Sequence, residues 1–174
     1  SGRSRYEAPQ PSVISGNTSP CQNATGLTYS VTNVAGVTYN WVLPSGWTQT
    51  AGGTTNSITV SAGTSGGTIT VTPSNGCGTG TVQTLVVSTS SVPAQPSAVS
   101  GTTSPCQGST GLTYSVTNVA GVTYTWTLPS GWSQTAGGTT NSITVTAGTS
   151  GGIITVTPSN GCGNGTAQSL VVSV

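Results

Sequence analysis

Four cysteines, Cys21, Cys77, Cys106 and Cys162, are the residues here whose type and spacing could do chemistry. Cys21 and Cys77 stand 56 residues apart, as do Cys106 and Cys162. That separation does not suit a compact zinc motif, and the chain has no histidine to complete a four-ligand set. The chemistry expected is oxidation to two disulfides, Cys21 with Cys77 and Cys106 with Cys162. In the chain-entropy view each would stabilise its loop by roughly 4 kcal/mol. One difficulty attends this pairing, because the loops that carry the two cysteines of a pair could lie at opposite ends of one domain. Either the segment from Asn17 to Thr25 runs back along the sandwich edge, or the bonds join different domains. The former is expected, since each copy of the repeat carries its own complete pair. Oxidised cysteines place the protein outside the cytoplasm, extracellular or at the cell surface.

Little other chemistry is open to the chain. Two Lys+Arg and one Asp+Glu are present, and Arg3, Arg5 and Glu7 account for all three. An ordinary soluble domain is about one quarter charged. Without paired acids, a base for a nucleophile or a carboxylate cluster, the sequence excludes glycosidase, triad and calcium or magnesium chemistry, and it predicts no enzyme, no metal and no cofactor. A net charge of +1 with no basic patch argues against nucleic acid. No apolar run is long enough for membrane insertion, the longest being of the kind Leu85-Val86-Val87. Trp47 and Trp132, each after a Pro-Ser-Gly turn, are candidates for stacking on sugar rings; the alternative is that they close one end of a sandwich. Asn17, Asn23 and Asn164 begin Asn-x-Ser/Thr triplets, a weak signal in a chain with 26 Ser and 35 Thr.

These residues sit on a repeat. Ser15 to Thr89 and Ser100 to Val174 superimpose without a gap at an offset of 85 residues, with 63 of 75 pairs identical. A unit of that length is too long for a solenoid repeat and close to one small sandwich domain. The expected organisation is an N-terminal extension at 1–8, a first domain at 9–89, a Pro-containing linker at 90–96 and a second domain at 97–174. Within the second copy Val122, Tyr124, Trp126 and Leu128 alternate with Thr123, Thr125 and Thr127, an apolar row on one face and a threonine ladder on the other. In the first copy strands are expected at about 11–16, 27–33, 37–43, 47–51, 56–61, 67–73 and 81–88, separated by glycine turns. The fold class is therefore all-β, two tandem immunoglobulin-like antiparallel β-sandwiches. With neither an initiator Met nor a signal peptide, the segment is expected to be a processed product or part of a longer secreted chain.

The order Cys, Leu-Thr-Tyr-Ser-Val, Val-Thr-Tyr-x-Trp-x-Leu-Pro-Ser-Gly-Trp, Asn-Ser-Ile-Thr-Val, then Ile-Thr-Val-Thr-Pro-Ser-Asn-Gly-Cys-Gly occurs twice. It resembles the PKD-like and immunoglobulin-like repeats of large secreted surface adhesins of gliding bacteria. The resemblance implies extracellular β-sandwich modules strung in tandem, or spacers on secreted polysaccharide-degrading enzymes, with no catalytic residues to carry over.

Two functional expectations follow. One is a non-catalytic structural protein, a subunit or repeat segment of an extracellular filament or adhesin stalk whose partners are neighbouring copies of the same repeat. A charge-free surface packs against itself without like-charge repulsion. Residues 1–7 fall in register with the last strand of a preceding domain, so Arg3, Arg5, Tyr6 and Glu7 are a candidate assembly segment that adds a strand to a neighbour's sheet edge. The other expectation is a polysaccharide-binding or spacer module of a secreted multidomain protein, with surface glycans as partners through Trp47 and Trp132.

Overall fold

A computed structural model describes residues 6–174. It divides into two compact units, Ser1–Ser91 and Val92–Val174. Each unit is an antiparallel sandwich without helices among the described residues.

In the first unit β1 (Leu27–Ser30), β4 (Ser57–Ser61) and β3 (Thr48–Ala51) form one sheet in that order. The other sheet is centred on β5 (Gly67–Asn75), which pairs with β2 (Thr38–Val42) on one side and with β6 (Gly78–Thr79) and β7 (Gln83–Val87) on the other. The second unit repeats the plan 85 residues later. Its first sheet holds β8 (Leu112–Ser115), β11 (Ser142–Thr146) and β10 (Ser133–Ala136); its second holds β9 (Thr123–Thr127), β12 (Gly152–Asn160), β13 (Gly163–Asn164) and β14 (Gln168–Val172). The strand expected at 11–16 is reduced to one isolated bridge, Ser15 to Ser30. Prolines at 9 and 11 lack the N–H a ladder needs, and the segment is held through side chains instead. Ser12 Oγ accepts the Thr32 N–H at 2.9 Å and Gln10 Nε2 donates to the Val82 carbonyl at 3.0 Å.

The period-2 pattern decides which face is buried. In β5 the inward row Ile69, Val71 and Pro73 alternates with outward Thr68, Thr70 and Thr72, and Ile69 and Val71 are fully buried. Tyr29, Tyr39, Ile58 and Val60 complete the centre of the first core, with Tyr114, Tyr124, Ile143 and Val145 in their places in the second. The outer rows form the expected ladder. Thr123, Thr125 and Thr127 are exposed, and Thr123 Oγ1 lies 2.7 Å from Ser159 Oγ on the neighbouring strand. Trp41 is buried in the core, whereas its counterpart Trp126 is half-buried.

Each unit has two distinct poles. In the first, the chain enters beside the β5–β6 turn, where Ala8 is buried and its carbonyl occupies the place a side chain at Gly80 would need. It leaves at the end of β7, which pairs with the start of β5 through Val87 and Gly67. The entering and leaving poles thus sit at opposite ends of the nine-residue β5, about 26 Å apart at roughly 3.3 Å per residue. In the second unit Pro93 plays the part of Ala8, its carbonyl lying where a side chain at Gly165 would go, and Gln95 Nε2 donates to the Ala167 carbonyl at 2.8 Å. Residues 92–96 are therefore packed as the first segment of that sandwich.

Candidate functional site

The leaving pole is where the first tryptophan of interest lies. A turn through Gly46, which has φ +81°, delivers Trp47 inward over the end of the core. Its indole Nε1–H donates to the Ser65 carbonyl at 2.8 Å, and its ring packs against Tyr29. Trp132 repeats the arrangement with Ser150 and Tyr114. Their relative exposures are 6% and 8%. Both tryptophans close an end of a sandwich, and the proposed role of Trp47 and Trp132 as sugar-stacking platforms is withdrawn. The edge glycine makes this burial possible, since a side chain at Gly63 would press on Gly46 and Trp47.

Around the same pole the segment after Gly16 is tied down. Tyr29 Oη donates to the Asn17 carbonyl at 2.6 Å, the Ser88 N–H donates to the Thr18 carbonyl and the Ser90 N–H to the Pro20 carbonyl. Cys21 forms an isolated bridge with Ser90, and Gln22 Nε2 donates to the Thr64 carbonyl at 2.9 Å. Cys21 therefore belongs to the leaving pole. Cys77 belongs to the other, in the β5–β6 turn, where its N–H donates to Asn75 Oδ1 at 2.9 Å. It is exposed and lines an open groove with Pro9, Val34, Ala35 and Val37.

The second domain repeats this placement. Cys106 sits in the loop whose Ser109 carbonyl accepts the Ala147 N–H, beside Gln107, which donates to Thr149. Cys162 lies in the β12–β13 turn, its N–H donating to Asn160 Oδ1 at 2.8 Å. The expected pairing of Cys106 with Cys162 is not formed. Cys162 is disulfide-bonded, as is Cys21, while Cys106 is an exposed free thiol. The reason is the length of the central strand: two cysteines about 26 Å apart along it cannot meet the Cα separation of at most about 7 Å that a disulfide allows. Cys21 and Cys77 likewise stand beyond opposite ends of β5. The segment from Asn17 to Thr25 stays at the leaving pole and does not run back along the sandwich edge.

Of the candidate assembly segment, Arg3 and Arg5 lie outside the described residues. Tyr6 is 80% exposed, but its carbonyl accepts from Asn75 Nδ2 at 2.9 Å, and Glu7 lies against Gly78. The backbone from Tyr6 onward is engaged with the first domain's own hairpin. The sequence marks Asn75-Gly76 only as a turn; the structure adds that the Oδ1 atoms of Asn75 and Asn160 shape the cysteine turns, for which the Asn-Gly-Cys triplet is the signal in the sequence.

A family model for the PKD-like domain matches residues 7–87 and 92–172. The chain belongs to the PKD-like domain family. Both copies of the PKD-like domain are covered almost from end to end, and the matched ranges begin at Glu7 and Val92, which lie against Gly78 and Gly163 of their own hairpins. Among solved structures, the titin I-band fragment I67–I69 is similar at 12% identity and a TM-score of 0.50 over 97% of this chain. An E-to-A variant of the same titin domains aligns at 11% identity and a TM-score of 0.50 over 94% of this chain. The chain spans 65% of the length of each titin fragment. The Escherichia coli adhesin FdeC aligns at 17% identity with a TM-score of 0.42, covering 94% of this chain and 66% of the adhesin chain. The titin likeness shows the fold, tandem immunoglobulin-like sandwiches. A search of curated proteins finds no match.

Proposed function

We propose that this PKD-like pair is a non-catalytic structural segment of an extracellular filament or cell-surface adhesin stalk. The observation that carries the reading is the polarity of each domain. Chain entrance and exit lie at opposite ends of β5 and of β12, so a domain extends a string rather than folding it back. The surface supports the same reading. Residues 8–174 carry no charged side chain, and the outward rows of β5, β9 and β12 are dominated by hydroxyls, so copies can pack side by side without like-charge repulsion. Exposed Val42, Val86, Ile153 and Val171 lie on these same outer faces and would be covered by such packing. The polysaccharide-binding alternative loses its basis with the burial of Trp47 and Trp132.

Immunogold labelling of intact source cells with an antibody to this chain tests the proposal. Label along threads or stalks projecting from the cell envelope is the expected result. Label confined to the cell interior would overturn it.

A further inference from the structure

The sheet edges of each PKD-like domain are finished in different ways. At β1 the backbone of Ser15 closes the outer side, exchanging hydrogen bonds of 2.8 and 3.0 Å with Ser30. At β2 the Thr54 carbonyl accepts the Tyr39 N–H at 2.8 Å, and beyond β7 the Thr18 and Pro20 carbonyls accept from Ser88 and Ser90. β3 and β10 each pair with one strand, and among the described residues no further strand or bridge adjoins them. All four residues of each are exposed. Here a glutamine takes the place of a strand. Gln49 Nε2 donates to the carbonyls of Ala51 and Gly53 at 3.3 and 2.8 Å, and Gln134 repeats both contacts on Ala136 and Gly138 at the same distances. The amide nitrogen has two hydrogens, one for each carbonyl. The turn through Gly52 and Gly53, at φ +97° and +53°, brings the second carbonyl back within reach. A bulge at Thr50 bends the same strand, with Thr50 Oγ1 donating to the Thr59 carbonyl at 3.2 Å, and Thr135 does likewise to Thr144.

We infer that Gln49 and Gln134 are edge guards, which keep β3 and β10 from pairing strand to strand with a second copy of this chain. An exposed edge strand offers a row of backbone groups to any other strand, and proteins blunt it with charge, proline or a bulge. Thr48-Gln49-Thr50-Ala51 and Ser133-Gln134-Thr135-Ala136 contain neither charge nor proline, so the bulge and the amide are the means on hand. The hazard is large in this chain. Its two domains share 63 of 75 aligned residues, so a strand that fits one domain fits the other, in the same molecule or the next. Uncharged, β-branched stretches such as Ser57–Ser61 are of the kind that stack into intermolecular sheets. With the Gln49 amide engaging two carbonyls, an incoming strand has to displace it first, and the bulge then breaks the register the strand would follow. A string of these domains associates through its faces and poles, with the β3 and β10 edges closed. A single soluble molecule needs the same guard, so edge pairing and the labelling of cells are decided by separate measurements.

The test compares the full wild-type chain with three double variants: Gln49→Thr with Gln134→Thr, Gln49→Lys with Gln134→Lys, and Gln22→Thr with Gln107→Thr. Each is purified, checked for its fold by circular dichroism, held concentrated with shaking, and followed by thioflavin T fluorescence and the infrared band of intermolecular sheet. Threonine is a strong strand former and has no amide to span both carbonyls, so the first pair should reach a thioflavin T signal several-fold above wild type. The Lys pair loses the same hydrogen bonds but sets a charge on each edge, and it should stay at the wild-type level. So should the third pair, because Gln22 and Gln107 donate to Thr64 and Thr149 in loops rather than along an edge strand. An edge Thr pair indistinguishable from wild type, a Lys pair that aggregates as the Thr pair does, or an equal rise in the loop pair would overturn the inference. Where the double edge Thr variant does not fold, Gln134→Thr alone, with the first domain intact, is judged by the same outcomes.

Discussion

The Trp47 indole packs on the ring of Tyr29 with 6.2 Å between centroids and 53° between planes, and this pair seals the leaving pole of the first domain. Ala in place of Trp47 opens that end and leaves the Ser65 carbonyl without its indole donor. Such a truncation should cost about 3–5 kcal/mol. Hydrogen exchange of the variant would show protection lost in β4 and β5 of the first domain. An exposed platform would instead cost no more than about 0.5 kcal/mol, and unchanged exchange would restore that reading.

Tyr29 and Tyr114 are fully buried and donate to the carbonyls of Asn17 and Thr102 at 2.6 and 2.7 Å. Replacing either by Phe should cost about 1 kcal/mol. Burial raises the phenol pKa of both above 10.0. In the unfolded chain these phenols ionise near the usual value, so above about pH 10 the unfolded state binds fewer protons than the folded one and stability falls as pH rises. Below that pH their contribution is fully present. Residues 8–174 contain no carboxylate side chain, His, Lys or Arg, so urea midpoints should hold level from about pH 6 to pH 8 and decline beyond pH 10. The double variant Tyr29→Phe with Tyr114→Phe should decline less steeply.

Gly52 has φ +97°, and a side chain there would run into the Ser57 carbonyl and Ile58. Gly36, at φ +77°, faces open space. Gly36→Ala should therefore cost only the backbone preference, about 1 kcal/mol, and Gly52→Ala distinctly more. Thermal melts give the comparison, since 1 kcal/mol corresponds to roughly 4–8 °C for a domain of this size.

Much of this architecture was legible in the sequence, and the reason is periodicity. Alternation along Val122 to Leu128 reported which side of β9 faces the core, and glycines marked the turns, because a half-buried strand has no other way to satisfy both faces. Three features were not legible in that way. The segment at 11–16 has apolar residues and reads as a strand, yet its prolines and side-chain hydrogen bonds leave it a single bridge. Trp47 follows a turn, where periodicity says nothing about depth; its burial depends on Gly63 being bare. The cysteines mislead most. Their repeat in register suggests a pair within each copy, whereas pairing depends on three-dimensional position, and a nine-residue central strand puts the members of each expected pair at opposite poles.

Negative-stain electron microscopy of the native material, concentrated and under oxidising conditions, tests most directly whether these domains are strung into filaments. The account predicts uniform threads that persist from low to high salt, because no charge beyond residue 7 is there to be screened. Uniform single particles at every concentration, with no threads in any native preparation, would contradict it.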